Sequence, residues 1–311
     1  MIVADYPLSQ LRQRLKGSGL RLRTGPVVTR IRTRLESVVL GISLHYAAHP
    51  VDDESGFADF HVIVERPHSI RRWIMPQIQF LLDGELPFSR LAAAHAFPML
   101  EWGLNWCISS HCHQYVMVHA AVVERGGRAL ILPAPPGSGK STLCAGLTFS
   151  GWRLLSDELT LVEPRTGRVV PVPRPVSLKN ASIDVIRHFE PSAVFGPVVR
   201  DTAKGNVAHV KPPADGVMRC GELAQPAWVV MPRYEAGATA RLEPLSKARA
   251  FMHLVDNSFN YSVHGRRGFD VFARLIDACD CFEFTYSRLE DAARIFNKLA
   301  ESDPPRSTGP R

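Results

Sequence analysis

The chain has 311 residues, of which 45% are hydrophobic and 22% charged, a formal net charge of +7 and six cysteines. This is the composition of a globular protein with room for two modest domains or one large one, and the scattered cysteines exclude a disulfide framework. No run approaches the roughly 18 to 20 apolar residues of a membrane span, and the first residues lack the apolar core of a secretory signal. A cytoplasmic protein with thiol cysteines and no membrane partner is therefore expected.

The charge is unevenly spread. Eight basic residues (Arg12, Arg14, Lys16, Arg21, Arg23, Arg30, Arg32, Arg34) against Asp5 alone carry the whole surplus within residues 1–34. Tyr6 is the only aromatic there, so the segment reads as solvated charge or a contact to an acidic partner, and nucleic acid is not expected.

Residues 1–114 form an N-terminal mixed α/β region, with strands predicted at Val38–Tyr46 and Phe57–Val64 and a helix over Phe88–Trp106. A hairpin follows, Tyr115–Val123 returning through Gly126-Gly127 as Arg128–Leu132. Thr142–Phe149 is a helix stopped by Gly151, and Arg153–Leu155 the next strand. Thr160–Val162 and Val169-Val170 make a second hairpin. Seven prolines make 171–215 loop-rich, with one short helix at Ile183–His188. Then come a strand at Trp228–Met231, helices at Ser246–Asn257 and Gly268–Asp277, a strand at Phe282–Tyr286 and a helix at Leu289–Leu299. The domain running from 115 to 301 closes there, and 302–311 is a disordered tail.

The chemistry is concentrated after the apolar run Ala129–Leu132. Ala134-Pro135-Pro136-Gly137-Ser138-Gly139-Lys140-Ser141-Thr142 has the spacing of a Walker-type phosphate-binding loop, with Ala134 in place of its first glycine. Gly137 and Gly139 allow backbone amides to approach phosphate oxygens, and the helix start adds its positive end. Lys140 is placed for the outer phosphates and Ser141 for magnesium. Asp157 and Glu158, seventeen and eighteen residues beyond Lys140, stand where a carboxylate holds the metal and another accepts a proton from the nucleophile.

His119–Val123, Pro136–Ser141 and Gly151–Glu158 together resemble the catalytic core of HPr kinase/phosphorylase. Glu101–Trp106 and Thr202–His209 resemble, more narrowly, a bacterial family called HprK-related kinase A. The resemblance implies a P-loop kinase core of the HPr kinase and phosphoenolpyruvate carboxykinase type, using ATP and Mg2+. It makes Lys140 the phosphate-binding lysine, Ser141 and Asp157 the magnesium ligands, and His119 a residue near the transferred phosphate. Glu158 stands where the family has its catalytic aspartate, with a carboxylate displaced by about one C–C bond, ~1.5 Å. The family's later acid-Arg-Gly signature has no counterpart downstream of Glu158. Arg174, Lys179 and Lys204, in loops punctuated by proline or glycine, are candidates for neutralising charge on the γ-phosphate.

Other clusters read as structure. Cys107, His111, Cys112 and His113 lack a paired zinc spacing, Cys144 is a small core residue, and Trp102 and Trp106 share a helix face. The expected function is transfer of the γ-phosphate of ATP to a hydroxyl of a protein or peptide serine or of a small molecule, by a chain able to form a homo-oligomer. The alternative is a nucleotide-binding regulator with little or no phosphotransfer, which would tolerate a displaced base at Glu158.

Overall fold

The computed structural model describes residues 1–53, 55–67, 76–135 and 137–302. The expected tail falls, apart from Ser302, outside them. The first elements are α1 (Leu8–Lys16), β1 (Leu20–Thr24), β2 (Val27–Thr33), α2 (Glu36–His45), β3 (Phe60–Glu65), β4 (Gln77–Leu82), β5 (Leu91–Ala92) and α3 (Ala96–His111). There follow β6 (Val116–Val118), β7 (Ala120–Arg125), β8 (Arg128–Pro133), α4 (Lys140–Phe149), β9 (Arg153–Ser156), β10 (Thr160–Val162), β11 (Val169–Val170), β12 (Val176–Lys179), α5 (Ala181–Phe189), β13 (Val199–Thr202) and β14 (Gly205–Val210). The chain ends with α6 (Ala214–Met218), β15 (Gln225–Tyr234), β16 (Arg241–Pro244), α7 (Lys247–Asp256), α8 (Tyr261–His264), α9 (Arg266–Ala278), β17 (Asp280–Tyr286) and α10 (Leu289–Ser302). Among the described residues no helix is long and apolar enough to cross a membrane.

This mixed α/β chain forms two compact units. One holds 1–113, 172–183 and 193–221; the other holds 114–171, 184–192 and 222–311. Residues 172–183 and 193–221, which the sequence assigns to the second domain, cluster with the first.

In the first unit the sheet order is β1-β2-β3-β4-β5, with β2 and β3 parallel. Of residues 38–46, expected as a strand, 38–45 belong to helix α2 and Tyr46 follows its end. Their apolar run reads as β in isolation, yet Val38, Val39, Gly41, Ile42 and His45 are all buried within the helix. A Cβ on Gly41 would come within 2.2 Å of the Phe97 ring, so a small residue lets α2 approach α3. The helix expected from Phe88 begins only at Ala96, after a short strand and a 3-10 turn. This places Pro98 in its first turn, where a missing N–H costs nothing. The basic segment is not merely solvated: Arg21 is buried with its guanidinium donating to Gly56 O, and Arg23 pairs with Asp52. The stretch expected to be loop-rich contains a three-stranded antiparallel sheet, β12-β14-β13. Prolines 171, 173 and 175 precede its first strand, where they favour extended chain without interrupting a ladder.

One buried ion pair ties this sheet's approach to the helices. Arg174 Nη2 donates to Glu101 Oε2 at 2.7 Å and to Glu101 O at 2.8 Å, Nη1 donates to Asn105 Oδ1 at 2.5 Å, and Tyr46 Oη donates to Glu101 Oε1 at 2.7 Å. Burial disfavours the charge on Arg174, but Tyr46 and Glu101 outweigh it and hold the guanidinium pKa above its ordinary value. Removing one partner alone would leave the other charged and buried, at a cost of roughly 3–5 kcal/mol.

Two histidines lie beside this pair. His45 stacks on Phe97 with ring centroids 5.1 Å apart, and His49 Nε2 lies 2.7 Å from Pro173 O. Burial pushes His45 down to about 4, with His209 and Lys211 adding to the effect and Glu101 opposing it. Burial likewise pushes His49 down to about 4, against the Pro173 hydrogen bond and Glu101.

In the second unit the six-stranded sheet runs β16-β17-β15-β8-β7-β9, with β8, β15 and β17 parallel. Side chains alternate across it. Val122, Ile131, Val229 and Cys281 join a core with α7 and α9, represented by Leu254, Phe272 and Ile276. The opposite face, with Val123, Leu130, Leu132, Trp228 and Val230 buried, is covered by α4 and α10. The smaller sheet β11-β10-β6 is antiparallel. The hairpins expected around β7 and β8 and around β10 and β11 both form.

The depressed histidines predict an acid-labile first unit. An unfolded histidine titrates near 6.5, so the stability from keeping His45 and His49 neutral is complete above that pH and is lost as pH falls through 6.5 towards 4. Between pH 7 and pH 5 each histidine should withdraw about 2 kcal/mol. Urea midpoints across this range should fall steeply in the native protein and less in His45→Gln. Equal slopes for the two proteins would contradict the assignment.

Candidate functional site

Three chain segments meet at one end of the six-stranded sheet. The loop 134–139 leaves the C-terminal end of β8, whose Pro133 pairs with Ala120 at the start of the antiparallel strand β7. His119 immediately precedes β7. Ser156, the last residue of β9, pairs with Val122 close to that same start, and Asp157 and Glu158 follow it. On the far side of this crossing Thr160 pairs with Val118, so His119 and Asp157–Leu159 are neighbouring links that run in opposite directions between two antiparallel strand pairs. Thr160 Oγ1 donates to Ala120 O at 3.0 Å and closes the corner.

The loop is shaped by glycine and held by tyrosine. Gly137 and Gly139 have φ of +88° and +86°, conformations that L side chains resist. Gly139 is also the residue before α4, so no side chain caps the first helical amides. These uncapped N–H groups and the helix dipole are what an anion would meet. Tyr286 Oη donates to Gly139 O at 2.9 Å, and the Tyr234 amide donates to Ser138 O at 3.0 Å. The two rings meet edge to face, 5.9 Å apart. Tyr234 ends β15, the parallel neighbour of β8, and Tyr286 ends β17, the next parallel strand, so the loop rests on the C-terminal ends of these two strands. Burial raises the Tyr286 hydroxyl pKa above its ordinary value, with Tyr234 adding to it, which keeps the group a hydrogen-bond donor.

Lys140 opens α4 and is buried, while Ser141 and Thr142 are half-buried. One turn on, Cys144 Sγ lies 3.8 Å from Ser156 O, which docks α4 on the end of β9. Burial drives the Cys144 thiol well above its ordinary value; the Asp157 charge adds to this and the Lys140 charge opposes it. Lys140 and Asp157 therefore both act on one sulfur. Ser156 Oγ accepts from the Leu159 amide at 3.0 Å, making a tight turn around a buried Asp157 and a half-buried Glu158.

His119 is positioned from α7 and the turn after it. Its amide donates to Asn257 O at 2.7 Å, and its ring lies 5.7 Å from that of Phe259. Asn260, fully buried, accepts from the Met117 amide at 2.9 Å and donates to Tyr115 O at 2.8 Å. The structure thus brings Ala134, Pro135, Gly137–Thr142, His119, Asp157 and Glu158 to one edge. Pro136 lies outside the described residues. Arg174, Lys179 and Lys204 belong to the first unit. There Arg174 is held by Glu101, the Lys179 amide donates to Ser182 Oγ at 2.7 Å, and Lys204 Nζ lies 5.2 Å from the centroid of the Trp102 ring.

Sequence reasoning missed Tyr234, Tyr286 and Asn260. The tyrosines carried a usable signal, since each follows an apolar strand pattern, and residues at the carboxyl ends of parallel strands line sites in α/β sheets. Asn260 carried none, because its role depends on contacts more than 140 positions away in sequence.

No family model and no curated sequence is similar to the chain. Among solved structures, the HPr(Ser) kinase/phosphatase from Coxiella burnetii is similar at 9% identity and a TM-score of 0.25, over 60% of this chain and 99% of that one. A likeness of that size leaves the function to be read from the chain's own residues.

Gly139 should be the least replaceable residue of the loop. A Cβ there would lie 2.5 Å from Tyr286 Oη. Gly139→Ala should therefore cost more than the ~1–2 kcal/mol of a left-handed alanine alone. Tyr286→Phe, which deletes one hydrogen bond, should cost about 1 kcal/mol. Combined, the two should be less damaging than their sum, since the second removes the atom struck by the first. A double-mutant cycle on urea midpoints measures this coupling, and strict additivity would count against the packing described.

Proposed function

We propose that the protein is a P-loop phosphotransferase that moves the γ-phosphate of ATP to a hydroxyl group of a protein, peptide or small molecule in the cytoplasm. The observation that carries this reading is the convergence of the uncapped, glycine-shaped start of α4, led by Lys140 and Ser141, with the Asp157-Glu158 turn and His119.

The residues fit a magnesium nucleotide. Space around Gly137 is open: among the described residues, its chain neighbours apart, no atom lies within 4 Å of a Cβ built there. Ser141 and Asp157 offer the hard oxygen donors that magnesium takes, and Asp157 directly follows Ser156, which α4 meets through Cys144. Bound there, the ion would offset negative charge on the phosphates. The loop amides and Lys140 orient the phosphate chain and stabilise charge on the group in flight. Glu158, less buried than Asp157, accepts the proton of the attacking hydroxyl. His119, on the adjacent link, is the second group able to donate to, or accept from, the transferred phosphate.

Three substitutions separate these roles. Lys140→Ala should abolish turnover and the thermal stabilisation by ATP. Glu158→Gln should keep nucleotide binding and lower single-turnover transfer from γ-labelled ATP by about a hundredfold to ten-thousandfold, the usual worth of a general base. Asp157→Asn should impair both magnesium-dependent binding and transfer. Unchanged binding and unchanged response in Glu158→Gln, with no transfer from the native protein to any lysate component, would identify a nucleotide-binding regulator instead.

A further inference from the structure

The surplus of positive charge near the start of the chain has a place in the fold. Lys16 at the end of α1 and Arg32 and Arg34 at the end of β2 line one groove of about 860 Å³ in the first unit, together with Arg66 just past β3. All four are exposed, and among the described residues none is in a salt bridge. The acids of the same groove are Glu36 and Glu65. Glu36 is taken by Arg12 through bonds of 2.9 and 2.5 Å, and Glu65 accepts from Gln79 Nε2 at 3.1 Å. The Arg12 hydrogen bond and charge hold the Glu36 carboxyl below its usual value. Arg12 thus cancels one acid from outside the groove, which leaves the cations in excess. The lining also includes the apolar Leu15, Leu35, Ile63 and Pro67, beside the hydroxyls of Thr33 and Ser37.

We infer that this groove binds an acidic segment of a partner protein, in which Asp or Glu alternates with apolar residues. Its volume is near the upper end of ligand pockets, ~300–1,000 Å³, which suits a peptide of several residues better than a single anion. A lining that mixes cations with apolar residues matches a chain that presents carboxylates and apolar side chains in turn. Among the described residues the lining contains no aromatic ring on which a base could stack, and its two carboxylates would oppose a phosphate backbone. The inference does not depend on phosphotransfer by the other unit.

The test is a fluorescence-anisotropy titration of the full chain with a short labelled peptide alternating glutamate and leucine. The comparison probes are the same peptide with glutamine for glutamate, and an oligothymidylate. The glutamate peptide should bind best, and its binding should weaken as salt is added. Arg32→Glu combined with Arg34→Glu should weaken it tenfold or more, as should Lys16→Glu with Arg66→Glu, while Arg90→Glu, an exposed charge reversal outside the groove, should leave it unchanged. Undiminished binding in both double variants, or an equal loss in Arg90→Glu, would overturn the assignment. Tighter binding of oligothymidylate that the same double variants abolish would assign the groove to nucleic acid and overturn it too.

Discussion

The second unit depends on how closely its loop can lie on the ends of its strands. Gly139 passes Tyr286 at hydrogen-bonding distance with a positive φ, and only a residue without a Cβ satisfies both conditions. That contact fixes where α4 starts, and with it the direction of the helical amides and the placement of Lys140 and Ser141. Cys144, one turn later, carries the same constraint to β9 and hence to Asp157. Loop, helix and acid turn thus form one mechanical unit, in which displacement of the loop would displace both ends of the site.

Buried charge plays the corresponding part elsewhere. In the first unit Arg174 is satisfied by Glu101, Asn105 and Tyr46, so 172–183 is held to helices far earlier in the chain. In the second, Arg153 pairs with Glu124 with both side chains almost wholly buried, which locks β9 to β7. Such pairs contribute little net stability against apolar replacements, but they penalise every arrangement in which one partner is left alone. They therefore choose which segments lie together, and in the first unit they choose a pairing that chain order would not suggest.

Expectations about individual elements were met or missed for physical reasons. The hairpin before the loop, the helix after it and the strand-helix close of the chain were legible because apolar period and glycine punctuation agreed. Val38–Tyr46 misled because β-branched residues in a wholly buried segment lose the period that separates helix from strand; packing against Phe97 through Gly41 decided for helix. Residues 171–215 misled because proline density hides strands that begin just after the prolines, β12 after Pro175 and β13 after Pro197. Arg174 looked like a cation suited to phosphate because its local sequence shows a proline-rich loop and cannot show Glu101 beside it.

By itself the sequence determined the glycine-bearing loop, its following helix and the acid pair, because these depend on residue identity at short fixed spacings: glycines where φ is positive, and lysine and serine at the start of the helix. Only the tertiary structure decided what meets them. Sheet register brought His119 and Asp157-Glu158 to the loop's edge, parallel pairing supplied Tyr234 and Tyr286 beneath it, and the course of α1, β2 and β3 gathered scattered basic residues into one groove. These contacts join positions tens to more than a hundred residues apart, and no local preference encodes such a distance. They follow from the burial of apolar faces and the pairing of buried charges, which act only once the whole chain has folded.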